Sequence, residues 1–158
     1  MTLHTIAPVF DENSKILVLG SFPSVKSREE GFFYGHPQNR FWKVLANAFD
    51  ASVPKNIDEK KALLLSNGIA LWDIIHSCDI VGSSDSSIKN VVPNDISKIL
   101  ETAHIKKIIN NGKKADTLYK KYIEPKVDIK ATCLPSTSPA NAQWSLDRLC
   151  DEWKKQLL

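Results

Sequence analysis

Lys15-Ile-Leu-Val-Leu-Gly-Ser-Phe-Pro-Ser24 is a short aliphatic run that ends on glycine and breaks on proline. It is too short for a stable helix and is closed by turn formers, which predicts a buried strand. Pro23 fixes its own φ and restrains Phe22, so the chain must turn there. The pattern recurs down the chain. Gly68-Ile-Ala-Leu-Trp-Asp73 predicts a second strand, Ile105-Lys-Lys-Ile-Ile109 a third, ended by Asn110-Asn-Gly112, and Ile129-Lys-Ala-Thr-Cys-Leu134 a fourth. Between them the apolar period changes to that of helices. Asn39 is a good N-cap type before Phe41, Trp42, Leu45 and Phe49, and the stretch from Asp58 to Asn67 predicts a helix stopped by Gly68. Asn94 or Asp95 can start a helix carrying Ile96, Ile99, Leu100 and Ala103 on one face. A further helix with Ala115, Leu118 and Tyr122 is expected to stop before Pro125, and a last one carries Leu146, Leu149, Trp153 and Leu157. Strands alternating with helices predict an α/β fold of three layers, α/β/α, around a four-stranded parallel sheet. There is no repeat, low-complexity segment or Gly/Ser linker, and 158 residues suit one domain, 1–158.

Composition narrows the function classes. Hydrophobic residues are 42% and charged residues 25%, the balance of a globular domain rather than a disordered chain. No apolar run approaches the roughly 18 residues of a membrane span. Met1 to Phe10 lacks a basic leader followed by a long apolar stretch, so a cytoplasmic protein without a secretory signal is expected. The formal charge of +3 permits a nucleic-acid partner without requiring one. Cys78, Cys133 and Cys150 are odd in number and far apart, without metal spacing, and read as buried free thiols.

In an open parallel sheet, ligands bind beyond the carboxyl ends of the strands. The residues expected to converge there are Ser21 to Ser24, Asp73, Asn110 to Gly112, and Ser136 to Asn141, with Val25 to Arg40 hanging over the same edge. The chain carries no GxGxxG, no phosphate-binding lysine loop and no GxSxG elbow, and His4, His36, His76 and His104 make no metal pattern. Dinucleotide enzymes, nucleotide hydrolases and serine hydrolases lose ground. What remains is a site of Asn, Asp, Ser and aromatic residues. Phe41 and Trp42 read as helix core, whereas Tyr34 sits among turn formers, where a ring suits stacking on a flat base. Ser136-Thr-Ser-Pro-Ala-Asn141 offers hydroxyls and N–H groups ahead of a helix, which suit a phosphate and equally suit turn chemistry.

Three strings carry a resemblance: Gly20-Ser-Phe-Pro-Ser24, Tyr34-Gly-His-Pro-Gln-Asn-Arg-Phe-Trp42 and Leu134-Pro-Ser-Thr-Ser-Pro-Ala-Asn141. In their order and spacing, with Gly68 to Asp73 between them, they resemble the uracil-DNA glycosylase superfamily, and within it the hypoxanthine-DNA (DNA-deoxyinosine) glycosylase branch, family six. The resemblance runs from about Lys15 to Trp153. It implies a four-stranded parallel sheet between helices, and hydrolysis of the N-glycosidic bond of a damaged base flipped out of DNA. It implies that Gly20, Ser21, Phe22, Pro23, Tyr34 and Asp73 form the base pocket, with Tyr34 stacking on the base. Asn39 matches the residue that orients the attacking water. Ser24, Ser136, Thr137 and Ser138 would contact DNA, and the segment through Asn141 would enter the space the base vacates. No cofactor or metal is implied, and a monomer is expected.

The motifs depart from better-known branches. The mismatch-specific uracil/thymine branch has Asn where Phe22 stands, and the main uracil branch has Asp and His at its two catalytic motifs, the second position being Leu134 here. Catalytic weight therefore shifts to Asn39, with hypoxanthine the expected base. Asp73 stands where the main uracil branch reads the base edge with Asn. It is either a reader of the N1–H of hypoxanthine or a cap for the turn at Ile74 to Ser77. Two further readings stay open: the same fold acting on uracil or thymine in mismatches or on xanthine, and a damaged-DNA-binding module without catalysis.

Overall fold

The computed structural model describes residues 1–158. In chain order its elements are β1 (Thr2–Leu3), β2 (Ile16–Gly20), α1 (Val25–Glu30), α2 (Phe41–Ala48), α3 (Ile57–Ser66), β3 (Ile69–Asp73), β4 (Ile75–Asp79) and β5 (Lys89–Pro93). There follow α4 (Ser97–Thr102), β6 (Lys107–Asn111), α5 (Lys113–Leu118), α6 (Glu124–Val127), β7 (Thr132–Leu134) and α7 (Leu146–Leu157). A parallel sheet in the order β3-β2-β6-β7 forms the centre, as the alternating pattern predicts.

The side-chain period of two along β2 divides the core between the two faces of this sheet. Val18 joins Ile69, Leu71 and Ile109 on one face, where Phe41, Trp42, Leu45, Leu64, Leu149 and Trp153 bring in α2, α3 and α7. Leu17 and Leu19 join Ala70 and Ile108 on the other, packed by Ile99 of α4 and by Ala115 and Leu118 of α5. With both faces covered, the strands are near-continuous aliphatic runs, and each fully buried Leu or Ile contributes roughly 1.5–3 kcal/mol. No helix is long and apolar enough to cross a membrane.

Several boundaries differ from the sequence expectation. β6 begins and ends two residues later than Ile105 to Ile109, because its pairing with β2 starts at Ile16 opposite Lys107 and carries Asn110 and Asn111 into the strand. β7 is confined to Thr132–Leu134. The helical path does not stop before Pro125. It widens to a π-turn over Tyr119–Ile123 and restarts as α6 with Pro125 in its first turn, where a missing N–H costs nothing. Cys78 and Cys150 are buried as expected, but Cys133 on the edge strand β7 is exposed.

A second, antiparallel sheet in the order β1-β4-β5 was not legible in the apolar runs. Only Ile74 separates the end of β3 from the start of β4. The chain keeps its direction there and passes from one sheet to the other: the N-terminal segment runs antiparallel to it on both sides of Ile74, Val9 bridging Leu71 and Leu3 pairing with Ser77, and β4 also pairs with β5. Ile75 and Cys78 of β4, with Ile74 just before it and Ile88 just before β5, join the second core.

Candidate active site at the carboxyl edge of the parallel sheet

β2 is flanked by β3 on one side and β6 on the other, so the chain leaves β2 in one direction and later returns on the opposite side. Such a reversal opens a crevice beyond the carboxyl end of the central strand. A cleft of about 330 Å³ lies there, in the size range of small-molecule sites. Gly20 and Asp73, register partners at the ends of β2 and β3, form part of its wall, with Asn111 from the end of β6. Ser21, Phe22, Pro23 and Ser24 line it from the turn after β2, and Tyr34 and Asn39 from the segment before α2. Ser136, Thr137 and Ser138 close it from the loop after β7. The convergence expected of the strand ends is therefore present for all of these residues. Asn141 is not part of the wall.

Gly20 is required by close approach. A Cβ there would lie 2.5 Å from Asp73 Oδ1 and 2.9 Å from Tyr34 Oη. The same geometry defines the Asp73 carboxylate. Its Oδ2 accepts from Nε2 of His4 at 2.8 Å, both side chains being almost fully buried, while Oδ1 is turned toward Gly20 and Tyr34. The carboxylate does not cap the turn at Ile74 to Ser77: Ile74 N–H donates to Gly20 O and Ile75 N–H to Ser21 O. Asn94, expected as a helix start, instead sends Nδ2 to the carbonyls of Asp73 and Ile75.

Tyr34 adopts a left-handed backbone, φ 52°, uncommon for a bulky residue. Its ring stacks on Phe41 at 4.2 Å between centroids. Burial, reinforced by the Asp73 carboxylate, raises its hydroxyl far above the ordinary phenol range and keeps it neutral. Asn111 Nδ2 donates to Tyr34 Oη and to Thr137 Oγ1, both at 3.1 Å, and Asn111 Oδ1 accepts from Thr137 N–H. Thr137 Oγ1 in turn donates to Asn39 Oδ1 at 2.9 Å. Asn39 Oδ1 also accepts from Phe41 N–H at 2.9 Å. Asn39 therefore caps the start of α2 from one position earlier than the formal N-cap, Arg40. A chain of hydrogen bonds thus runs from Tyr34 through Asn111 and Thr137 to Asn39.

The loop after β7 is held by Arg40. Its backbone N–H donates to Thr137 O, and its guanidinium donates to the carbonyls of Ser138, Asn141 and Trp144. Ser136 Oγ accepts from Ser138 N–H and Ser138 Oγ from Ala140 N–H, so both hydroxyls shape turns and keep their own hydrogens to donate. The remaining residues expected at DNA are engaged differently. Thr137 is completely buried and presents no surface to a phosphate in this conformation. Asn141 Nδ2 donates to Ser136 O inside the loop. Ser24 lines the cleft but caps α1, accepting from Ser27 N–H and donating to Ser27 Oγ.

Sequence reasoning missed three contributors and left a fourth unresolved within a group of strand-end residues. Asn111 was one of a group of strand-end residues, but only the register of β6 separates it from Asn110, which points to the other face and donates to Asp116. His4 follows directly on β1, far from every motif. Ser83 and Asp85 come from the β4–β5 connection and form one wall. Ser21 Oγ donates to Asp85 at 3.2 Å. Desolvation raises the Asp85 carboxyl above the usual carboxylate range, opposed by that hydroxyl and by Lys114.

Comparison with known proteins agrees with this architecture. The profile of the Uracil DNA glycosylase superfamily matches residues 7–157. A protein of Methanosarcina acetivorans named hypoxanthine DNA glycosylase is 36% identical over 148 residues, covering 92% of each chain. A protein of the same name from Methanosarcina barkeri is 36% identical over 110 residues, 68% of this chain and 70% of its own. The solution NMR structure of a Methanosarcina acetivorans protein described as a candidate uracil DNA glycosylase superposes with a TM-score of 0.82 at 33% identity, over 96% of this chain and 94% of that one. With the profile spanning nearly every residue and the fold shared to that degree, the chain belongs to the uracil DNA glycosylase superfamily.

Proposed function

We propose that this DNA glycosylase excises hypoxanthine from DNA, using a water positioned at Asn39. The observation that carries the choice of base is the Asp73 carboxylate, 4% exposed at the end of β3, with Oδ1 turned toward Gly20 and Tyr34. An ionised carboxylate only accepts hydrogen bonds. Hypoxanthine offers it the N1–H, whereas adenine has a lone pair at N1 and would be repelled. The two Methanosarcina relatives named hypoxanthine DNA glycosylase support the same base. Tyr34 has one ring face on Phe41, which leaves the other for a flipped purine.

Cleavage of the glycosidic bond places positive charge on the sugar and negative charge on the departing base. Hypoxanthine, keeping its N1–H, spreads that charge over N9, N7 and O6, so the reaction does not need a strong base. Asn39 then has a positioning role. Its Oδ1 already holds two donors, the fixed Phe41 N–H and the rotatable Thr137 O–H. In our reading the Thr137 hydroxyl turns aside when water arrives, and Oδ1 accepts from the water and aims it at C1′. Ser136 and Ser138 donate to DNA phosphates, and the loop through Asn141 enters the gap left by the base. No lysine lines the cleft, which supports hydrolysis without a Schiff base or strand cleavage.

The test is a panel of duplexes carrying a single inosine, xanthosine, uracil or adenosine, treated with alkali after incubation. Inosine is expected to give the fastest release. Asn39→Ala is expected to reduce it by about 10²- to 10⁴-fold. Near-normal release by Asn39→Ala, or faster release of uracil than hypoxanthine, would overturn the reading. Xanthine also carries an N1–H, so xanthosine is the lesion expected to come second.

A further inference from the structure

We propose that His4 is a specificity-positioning residue: its imidazole fixes the Asp73 carboxylate so that Oδ1 faces the base. The proposal rests on the reading of Asp73 as the reader of N1–H.

A lone carboxylate turns freely about χ2, since that torsion is broad and two-fold. Here the turn is removed. His4 Nε2 donates to Oδ2 at 2.8 Å, with the two side chains 2% and 5% exposed, and a contact shielded to that extent is strengthened by the low local dielectric. The Asp73 carbonyl is separately held by Asn94 Nδ2 at 2.9 Å. Both ends of the residue are thus fixed, and Oδ1 is the carboxylate oxygen on the Gly20 and Tyr34 side.

His4 is itself caged. Phe22, Phe33 and Trp72 surround its ring at centroid distances of 5.9, 6.2 and 6.2 Å. Phe22 and Phe33 also line the cleft, so the cage is the back of the pocket wall. The N-terminal segment is strapped to reach this place. His4 N–H donates to His76 O at 2.7 Å, Trp72 Nε1 donates to Ile6 O, and Val9 bridges to Leu71. β1 contributes only two residues to its sheet, and the side chain it delivers next is the partner of the buried acid.

Two variants separate the donor from the packing. His4→Phe keeps a ring in the cage and removes the donor. His4→Gln keeps a donor and removes the ring. In single-turnover assays on the inosine and adenosine duplexes, His4→Phe is expected to slow inosine release by about 10- to 100-fold, the range for a lost hydrogen bond to a charged group, and so to narrow the preference for inosine over adenosine. The KM for DNA should change by less than about 3-fold, because the contact does not touch the backbone. His4→Gln should recover most of the rate. Since His4 acts through Asp73, His4→Phe should add nothing once Asp73→Asn is present, the signature of one coupled unit. Normal inosine selectivity in a folded His4→Phe, or equal losses in the single and the Asp73→Asn background, would overturn the role of His4. If His4→Phe fails to fold, a His4→Gln that has lost inosine selectivity does the same. Unchanged inosine preference in Asp73→Asn alone would instead sink the reading of Asp73 on which the proposal rests.

Discussion

Gly20 carries the tightest constraint at the scale of single residues. A methyl group there would meet Asp73 Oδ1 at 2.5 Å and Tyr34 Oη at 2.9 Å, neither of which is the free end of a flexible chain. Gly20→Ala is expected to displace the Asp73 carboxylate, reduce inosine release by at least about 100-fold, and destabilise the fold by about 1–3 kcal/mol. Single-turnover rates and a thermal melt check both. Thr137 presents the complementary case. Its Oγ1 accepts from Asn111 Nδ2, which also holds Tyr34 Oη, and Thr137→Val keeps the shape while removing that anchor of the Asn111–Tyr34 pair. Release is expected to fall by about 10-fold with DNA affinity nearly unchanged, because a fully buried side chain contributes no phosphate contact. A weakened Kd with a normal rate would instead place Thr137 at the DNA. The motif strings made Asn39, Tyr34 and the serines legible as site residues. They could not reveal that Thr137 faces inward, because burial depends on the loop that surrounds it.

At the scale of elements, the loop from Pro135 to Ser145 is ordered mainly from outside. Arg40, immediately before α2, donates to four of its carbonyls, those of Thr137, Ser138, Asn141 and Trp144. Trp153 of α7 adds an Nε1–H to Pro135 O at 3.0 Å. Arg40→Met would leave those carbonyls without their charged partner and is expected to cost about 2–5 kcal/mol. It should also make the loop the first site of proteolysis, read by limited digestion and mass spectrometry. Arg40→Lys should not rescue it, since one ammonium cannot reproduce a planar fork of donors. The parallel strands and the helices other than α1 were legible because apolar period and turn residues act over a few neighbouring positions. β1 and the β4–β5 pair were not, since short strands of mixed burial are defined by partners distant in the chain. Pro125 misled for a related reason: it blocks an ordinary α-turn, and the π-turn at Tyr119–Ile123 moves the break away from it.

For the whole molecule, charge decides how DNA is held. No Lys or Arg lines the cleft, and the chain as a whole carries only +3. Few phosphates are then neutralised at the site, so the slope of log affinity against log salt is expected to be shallow, about −2 to −3. Titration of an inosine duplex between low and moderate KCl measures it, and a slope of about −6 or steeper would require a basic surface away from the cleft. The sequence by itself determined the three-layer fold, the edge of the sheet on which the site lies, and the family. The fold and the edge follow from local order, where apolar runs end and which residues break them, and the family from the resemblance carried by the three motif strings. Only the tertiary structure decided which strand-end residues act together. It selected Asn111 over Asn110, turned Thr137 inward, and brought His4 from the N-terminal segment to Asp73, 69 positions away. The register of paired strands sets which face a side chain occupies, and register is fixed by pairing between distant segments rather than by the residues on either side.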